Sequence, residues 1–351
     1  MKDIIEILER WTGEGTSVAL GSVVERIGSA PRDPGAALAV SSKHEVAGGV
    51  TGGCVEPAVI REAMEVLDGS PGRLVHFGLD DEDGFDVGLN CGGKIAVAVY
   101  RLDPKLVPPV AEAVRADRPI AVTLRLEGDR FGEQAIYSPA GGMNGNGTDG
   151  PTSAAAESLL ELGESAIVAT AEGEKIFVES YAPRPNLYLF GASDHVAALV
   201  PVGKQLGYRV TVCDPRTVFL TKERFPDADE LCDDWPDRFL ERAPVDARTA
   251  ICMMTHDLKF DVPALELALG SNAGFIGAIG SEKTRADRNA RLRERGIGDA
   301  DLARLHAPIG LDIGARTPDE VAVSIAAQLI EASVIARAKR IESISRATVL
   351  S

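Results

Sequence analysis

The sequence has no uninterrupted apolar run approaching the ~18 residues a membrane helix needs, so a helical membrane protein is not expected. Its first ten residues mix Asp3, Glu6 and Glu9 with Ile4, Ile5, Ile7 and Leu8 rather than building the apolar centre of a signal peptide. An amphipathic helix and a cytoplasmic location are expected instead. Cysteine is scarce: Cys54, Cys91, Cys213, Cys232 and Cys252 are an odd, widely spaced set, with no Cys-x-x-Cys pair and no nearby pair of histidines. That pattern argues against a disulfide framework and against zinc, and predicts free thiols. Basic charge is also short, with 37 Lys and Arg against 53 Asp and Glu and a net charge of -16. Long-range repulsion then excludes nucleic acid as a partner, and an anionic ligand has to be held by local donors.

What is present is the material of a globular protein, 45% hydrophobic over 351 residues with a mean hydropathy of +0.01. At roughly 100 to 200 residues per domain this predicts two domains. Two breaks divide the chain. Residues 138–153 crowd Pro, Gly, Asn and Ser into a stretch expected to be a mobile loop without regular structure. At Tyr181-Ala-Pro-Arg-Pro-Asn186 two prolines precede an apolar run, which places the boundary between a domain over 1–180 and one over 186–351.

In the first domain, strands are expected at 17–24, 36–40, 45–49, 73–77 and 95–100, with helical spacing from Val55 to Leu67. In the second, strand, helix and strand alternate: 187–190, 194–206, 209–213, 250–254, 274–279, then an apolar helix from Val321. The fold class predicted is α/β, an N-terminal mixed α/β domain followed by a Rossmann-like parallel sheet with right-handed crossovers.

Several turns carry residues suited to chemistry. Gly48-Gly-Val-Thr-Gly-Gly-Cys-Val-Glu56 runs a glycine-rich turn into a helix. Backbone N–H groups of Gly52 and Gly53 can there approach an anion, and the helix dipole favours a Cys54 thiolate. Taken alone this turn reads as a tight connection with a small buried cysteine. Gly88-Leu-Asn-Cys-Gly-Gly-Lys94 mirrors it, with Cys91 beside Gly92 and Gly93, and two such turns in one domain raise the functional reading to even weight. Both cysteines are candidate contacts for a soft metal and are expected to share one cleft.

Phe190-Gly-Ala-Ser-Asp-His-Val-Ala197 lies where a dinucleotide fingerprint would, and Asp214 ends the next strand 23 residues after Gly191, where an acidic residue would meet a ribose hydroxyl. Ser193 and Val196 replace the second and third glycines, so NAD and NADP are expected to bind weakly or not at all. Thr255-His-Asp257 and Ile279-Gly-Ser-Glu282 follow two further strands, where ligands meet open α/β sheets. His256 and Asp257 could titrate or orient a ligand, though a histidine near a strand end is more often a hydrogen-bonded structural residue. Thr317, Pro318 and Glu320 form a helix-capping box, and the loop before them, with Gly310, Asp312, Gly314 and Arg316, suits a polar or anionic ligand.

Taken in order, these motifs resemble the XdhC/CoxI family of xanthine dehydrogenase accessory factors over nearly the whole chain. Gly28-Ser-Ala-Pro-Arg32, Thr51-Gly-Gly-Cys-Val-Glu56 and Gly88-Leu-Asn-Cys-Gly-Gly93 carry the first half. Gly191-Ala-Ser-Asp194, Val210-Thr-Val-Cys-Asp-Pro-Arg216, Thr255-His-Asp257, Gly277-Ala-Ile-Gly-Ser281 and Pro308-Ile-Gly-Leu-Asp-Ile-Gly-Ala315 carry the second. The resemblance implies an accessory factor without turnover of its own. It would bind molybdenum cofactor as cargo, protect it while a cysteine desulfurase supports its sulfuration, and deliver it to a molybdenum hydroxylase. Cofactor contacts would then fall on Gly52, Gly53, Cys54, Glu56, Cys91, Gly92 and Gly93, and on Gly191, Asp214, His256, Gly280, Ser281 and Asp312 in the second domain. Cys54 and Cys91 supply thiolates to the metal, which prefers soft partners. The competing reading is a nucleotide-dependent oxidoreductase built on Gly191 and Asp214. The apolar C-terminal helix is expected to support a homodimer.

Overall fold

The computed structural model describes residues 1–28, 32–78, 93–145, 150–169 and 173–350. Cys91 and Gly92 lie outside the described residues, so the expected cleft shared with Cys54 does too. The chain divides into two compact units, one built mainly from Met1–Pro183 and the other from Arg184–Arg340.

The first unit opens with α1 (Ile5–Gly13), whose Ile5, Leu8 and Trp11 are buried. The strands β1 (Val18–Ile27), β2 (Ala37–Ser41) and β3 (Val46–Gly48) follow, then α2 (Glu56–Leu67), β4 (Arg73–Phe77) and β5 (Lys94–Arg101). These strands form an antiparallel sheet in the order β3-β2-β1-β5-β4. After α3 (Val107–Arg115), a second antiparallel sheet uses β6 (Ile120–Arg125), β7 (Gln134–Ser138), β8 (Gly142–Gly145), β9 (Ala166–Ala169) and β10 (Lys175–Tyr181), in the order β8-β7-β6-β10-β9, with α4 (Gly150–Leu162) inserted before β9. β8 and the start of α4 put regular structure into the stretch that composition marked as loop. Gly145 pairs with Ala135 across β7 and β8, a hairpin whose backbone bonds do not depend on side-chain propensity.

A core joins α1 and α3 with both sheets through Leu8, Leu20, Ala98, Val110, Val122 and Phe177. Each Val, Leu or Phe side chain among these contributes about 1.5–3 kcal/mol when fully buried. α2 covers the other face of the first sheet through Ala58, Val59, Ala63 and Val66, with Val55 buried just before it.

The second unit is a six-stranded parallel sheet of β11 (Asn186–Phe190), β12 (Arg209–Cys213), β13 (Glu230–Cys232), β14 (Ala250–Met253), β15 (Phe275–Ala278) and β16 (Leu305–His306). Its order is β13-β12-β11-β14-β15-β16. This is the Rossmann arrangement, with the chain reversing direction across the sheet between β11 and β14. Apart from Asn186 at the start of β11, the residues of β11, β14 and β15 are buried, as expected where helices cover both faces. α5 (Asp194–Gln205) and α10 (Pro318–Leu350) pack on one face through Val196, Leu199, Ile325 and Leu329. α6 (Pro236–Arg242), α7 (Leu258–Leu269), α8 (Glu282–Glu294) and the short α9 (Asp299–Leu302) pack on the other through Phe239, Leu265, Leu292 and Leu302. Among the described residues no helix is long and apolar enough to cross a membrane.

Candidate functional site

Two places in the fold carry the residues singled out by sequence. The first is the turn entering α2. Gly52 and Gly53 have φ of +98° and +133°, a conformation open to glycine, and Cys54 is exposed beside them. The N–H groups expected to face an anionic ligand are already engaged. Oε1 of Glu56 accepts from the backbone N of Val50 (3.1 Å), Thr51 (2.8 Å) and Gly52 (2.8 Å), while Oε2 accepts from Gly53 N and Thr51 Oγ1, both at 2.8 Å. Partial burial would raise the Glu56 pKa, but the bonds from Thr51 and Gly52 outweigh it and hold the carboxyl at about 2. Glu56 is thus the anion of this nest rather than a free ligand contact, and the turn is a rigid platform with Cys54 at its edge. Gly93 is buried just before β5.

The second place is a cleft of about 1330 Å³ outside the carboxyl ends of β11, β12 and β14, at the reversal of strand order. Its floor is Gly191, whose φ is +114°. A Cβ there would lie 3.0 Å from Thr255 Cγ2 and 3.2 Å from the Met254 carbonyl, so glycine is required where the first turn crosses β14. Ser193 caps α5, its Oγ accepting from Val196 N at 3.4 Å, and Val196 is buried in the core. The residues standing at the second and third glycine positions therefore serve the helix.

Asp214, at the position where an acidic residue would meet a ribose hydroxyl, has its carboxylate oxygens engaged within the fold. It is 1% exposed, and its carboxylate accepts from Ala192 N (2.7 Å), Arg216 N (2.8 Å) and, in two-toothed fashion, Arg216 Nε (2.9 Å) and Nη2 (2.7 Å). Burial opposes its ionisation, and the Arg216 bonds prevail and lower its pKa. Asp214 ties the β11 turn to the β12 turn and aims Arg216 into the cleft, leaving Arg216 Nη1 as a donor.

Sequence reasoning did not single out the side chains that give the cleft its character. Arg216, Arg224, Lys259 and Arg291 line it, with Asp194 and Asp257 as the acidic members. Arg224 pairs with Asp194 at 2.9 Å and Lys259 with Asp257 at 3.1 Å. Arg291 makes no ion pair or hydrogen bond among the described residues, and it leaves the cleft with unneutralised positive charge in a chain of net charge -16. Phe219, 43% exposed, has two guanidinium groups near its ring, with Arg216 Cζ 5.3 Å and Arg224 Cζ 6.0 Å from its centre. A flat aromatic flanked by cations suits a planar, electron-rich heterocycle. The local signal available was Arg216-x-x-Phe219 next to the Asp214 motif; Arg291 had none.

His256, exposed, does line the cleft. Ser281 instead caps α8, accepting from Thr284 N at 3.3 Å, and Gly280 sits against Thr284. Asp312 is exposed and outside the cleft lining. The loop before α10 spends its donors on the helix: Gly310 N on Gln328 Oε1 (2.8 Å) and Arg316 N on Glu320 Oε2 (2.7 Å), beside the expected capping box of Thr317 and Glu320. Behind the cleft, Thr255 Oγ1 donates to Asp261, which pairs with Arg288 at 2.7 Å, both charged side chains being wholly buried. Among the described residues no three His, Cys, Asp or Glu side chains converge as metal ligands.

Comparison with known proteins agrees with this architecture. Residues 187–329 match the XdhC Rossmann domain and residues 11–78 match the XdhC and CoxI family, so that together the two models cover more than half of the chain. A probable xanthine dehydrogenase subunit of Bacillus subtilis (strain 168) is 26% identical over 317 residues, spanning 89% of this chain and 92% of that protein. The molybdenum cofactor insertion chaperone PaoD of Escherichia coli (strain K12) is also 26% identical, over 90% of this chain and 83% of its own length. A crystal structure of a xanthine dehydrogenase from Bacillus halodurans superposes with a TM-score of 0.65 at 28% identity, covering 93% of this chain and 95% of the other. With the motifs in order and a family model matched in each of its two units, the chain belongs to the XdhC/CoxI family.

Proposed function

We propose that this protein is a molybdenum cofactor insertion chaperone, an accessory factor that holds the cofactor as cargo and passes it to a molybdenum hydroxylase. The relatives from Escherichia coli and Bacillus subtilis support the class of activity, and the cleft at the strand reversal carries the reading for this chain. Its volume of about 1330 Å³ accommodates a ligand of nucleotide size. The exposed part of the Phe219 ring, with the Arg216 and Arg224 guanidinium groups beside it, offers a stacking surface for the pterin ring. Arg291, Lys259 and the N-terminus of α5 offer positive charge to its phosphate. These groups bind and orient a ligand, and retention followed by release is the chemistry they support.

Within the first unit, Cys54, exposed on the Glu56-braced turn, is proposed as a thiolate suited to molybdenum, with Cys91 as its partner. Sulfuration by a cysteine desulfurase while the cofactor is held belongs to the same reading. So does a homodimer through α10, on which Val323, Ile330 and Val334 are exposed. The test is purification from a host that makes the cofactor, followed by measurement of oxidised-pterin fluorescence per protein. Wild-type protein should carry pterin, Arg291→Glu and Phe219→Ala should lose most of it, and Cys54→Ser should bind pterin yet fail to activate the hydroxylase. Pterin-free wild-type protein, or full retention by the folded Arg291→Glu variant, would refute the assignment.

A further inference from the structure

The thiols of Cys213 and Cys232 are unused by the function proposed above. β12 and β13 run parallel with Cys213 opposite Cys232, both side chains turned to the α6 face of the sheet beside Phe239. Neighbouring strands lie about 4.8 Å apart, inside the ~4.4–6.8 Å Cα separation that a disulfide spans. Cys213 is buried, and its Sγ donates to the Asp234 carbonyl at 3.3 Å. Cys232 is partly exposed, and Arg242 Nη2 lies 3.7 Å from its Sγ. One thiol is therefore open to an incoming reagent with a cation beside it, and the other waits behind it.

The same two residues anchor the cleft. The Cys213 carbonyl accepts from Gly191 N at 2.9 Å, and the Cys232 carbonyl accepts from Asp214 N at 3.1 Å. Asp214 in turn holds Ala192 N and Arg216. Asp234, which accepts from the Cys213 thiol, also pairs with Arg242 at 2.7 Å, and the adjoining Trp235 ring lies 4.9 Å from Phe260 in the cleft wall.

We infer that Cys213 and Cys232 form a reversible disulfide that reports oxidising conditions to the cleft, the oxidant being a low-molecular-weight disulfide such as glutathione disulfide. Cys232, having lost its proton to solvent, attacks one sulfur of the external disulfide, forming a mixed disulfide and expelling one small thiolate. Cys213 then attacks the Cys232 sulfur as its own proton leaves, and the second small thiolate departs. Two protein thiols are oxidised by two electrons, the external disulfide is reduced to two thiols, and the two protons end on those thiols. Burial raises the pKa of both cysteines above the usual thiol value, so exchange is slow and answers to sustained oxidation rather than to brief exposure. Because the strand spacing lies near the short end of that range, forming the bond shifts the two strand ends, and with them the carbonyls that fix Gly191 and Asp214 and the placement of Arg216.

The test uses the full chain, equilibrated in glutathione buffers of stepped redox ratio, quenched with an alkylating reagent and mapped by peptide mass spectrometry. The expected result is coordinated loss of alkylation at Cys213 and Cys232 through one internal disulfide, reversed by dithiothreitol. A shift in tryptophan emission should accompany it and be absent in Trp235→Phe. Cys213→Ser should stop at the mixed disulfide on Cys232. The inference is overturned if the wild-type protein also stops there with Cys213 still alkylated, or if both cysteines stay alkylated while Cys54 reacts. A disulfide that forms without any change in emission or in amide exchange over residues 191–195 overturns the coupling to the cleft.

Discussion

Replacing Glu56 by Gln tests the account of the α2 turn directly. Gln keeps the size of the side chain but removes its charge and turns one of two acceptor oxygens into a donor. Two of the five hydrogen bonds to the carboxylate, those from Gly53 N and Thr51 Oγ1 to Oε2, then meet a group that cannot accept. The carboxyl pKa of about 2 against an ordinary 4.5 corresponds, at ~1.36 kcal/mol per unit, to ~3 kcal/mol before solvent is considered. The turn is exposed, and screening reduces this to roughly 1–2 kcal/mol. Because the folded-state pKa is depressed, the contribution is complete above pH 4.5 and is lost as pH falls toward 2. Glu56→Gln should therefore lower the urea midpoint at pH 7 and speed amide exchange at residues 50–53, with the difference from wild type shrinking through that acid window. Equal exchange at residues 50–53 in both proteins at pH 7 would refute the claim that Glu56 holds the turn.

Gly191→Ala should destabilise the second unit by about 1–3 kcal/mol, since it puts a Cβ 3.0 Å from Thr255 Cγ2 at a φ of +114°; urea denaturation followed by Trp235 emission measures this. Arg288→Met leaves the buried Asp261 carboxylate without its cation and should cost ~3–5 kcal/mol, whereas replacing both partners by apolar residues should cost less, as a double-mutant cycle in urea would show. NAD and NADP should give no saturable heat in calorimetry, because both Asp214 oxygens are taken by Ala192 and Arg216. A homodimer through α10 should sediment as one species at micromolar concentration and dissociate on Ile330→Lys, whose exposed apolar site lies on that helix.

Much of the fold was legible because its signals are local. Strand 73–77 and strand 209–213 coincide with β4 and β12, and the helix expected from Asp194 begins there as α5, where Ser193 caps it. Alternating strand and helix lengths after Asn186 were sufficient to indicate the parallel sheet, since short buried apolar runs separated by helices have few other solutions. The second antiparallel sheet escaped notice. Its strands β7 and β8 are short and polar at one face, and β8 lies in a glycine-rich stretch whose composition predicts loop.

The sequence by itself determined the identity of the turns, the placement of a glycine at residue 191, the capping of α10 and the membership of a family, all of which rest on residues near one another in the chain. Only the tertiary structure decided what those turns do. Whether Gly52 and Gly53 face a ligand or Glu56 depends on hydrogen-bond geometry that spacing does not encode, and the nest closes on its own carboxylate. Arg216, Phe219, Lys259 and Arg291 come from separate elements and become one cleft through the order β13-β12-β11-β14-β15-β16. The pairing of Cys213 with Cys232, 19 positions apart in the sequence, arises the same way, from a register set by backbone hydrogen bonds between strands.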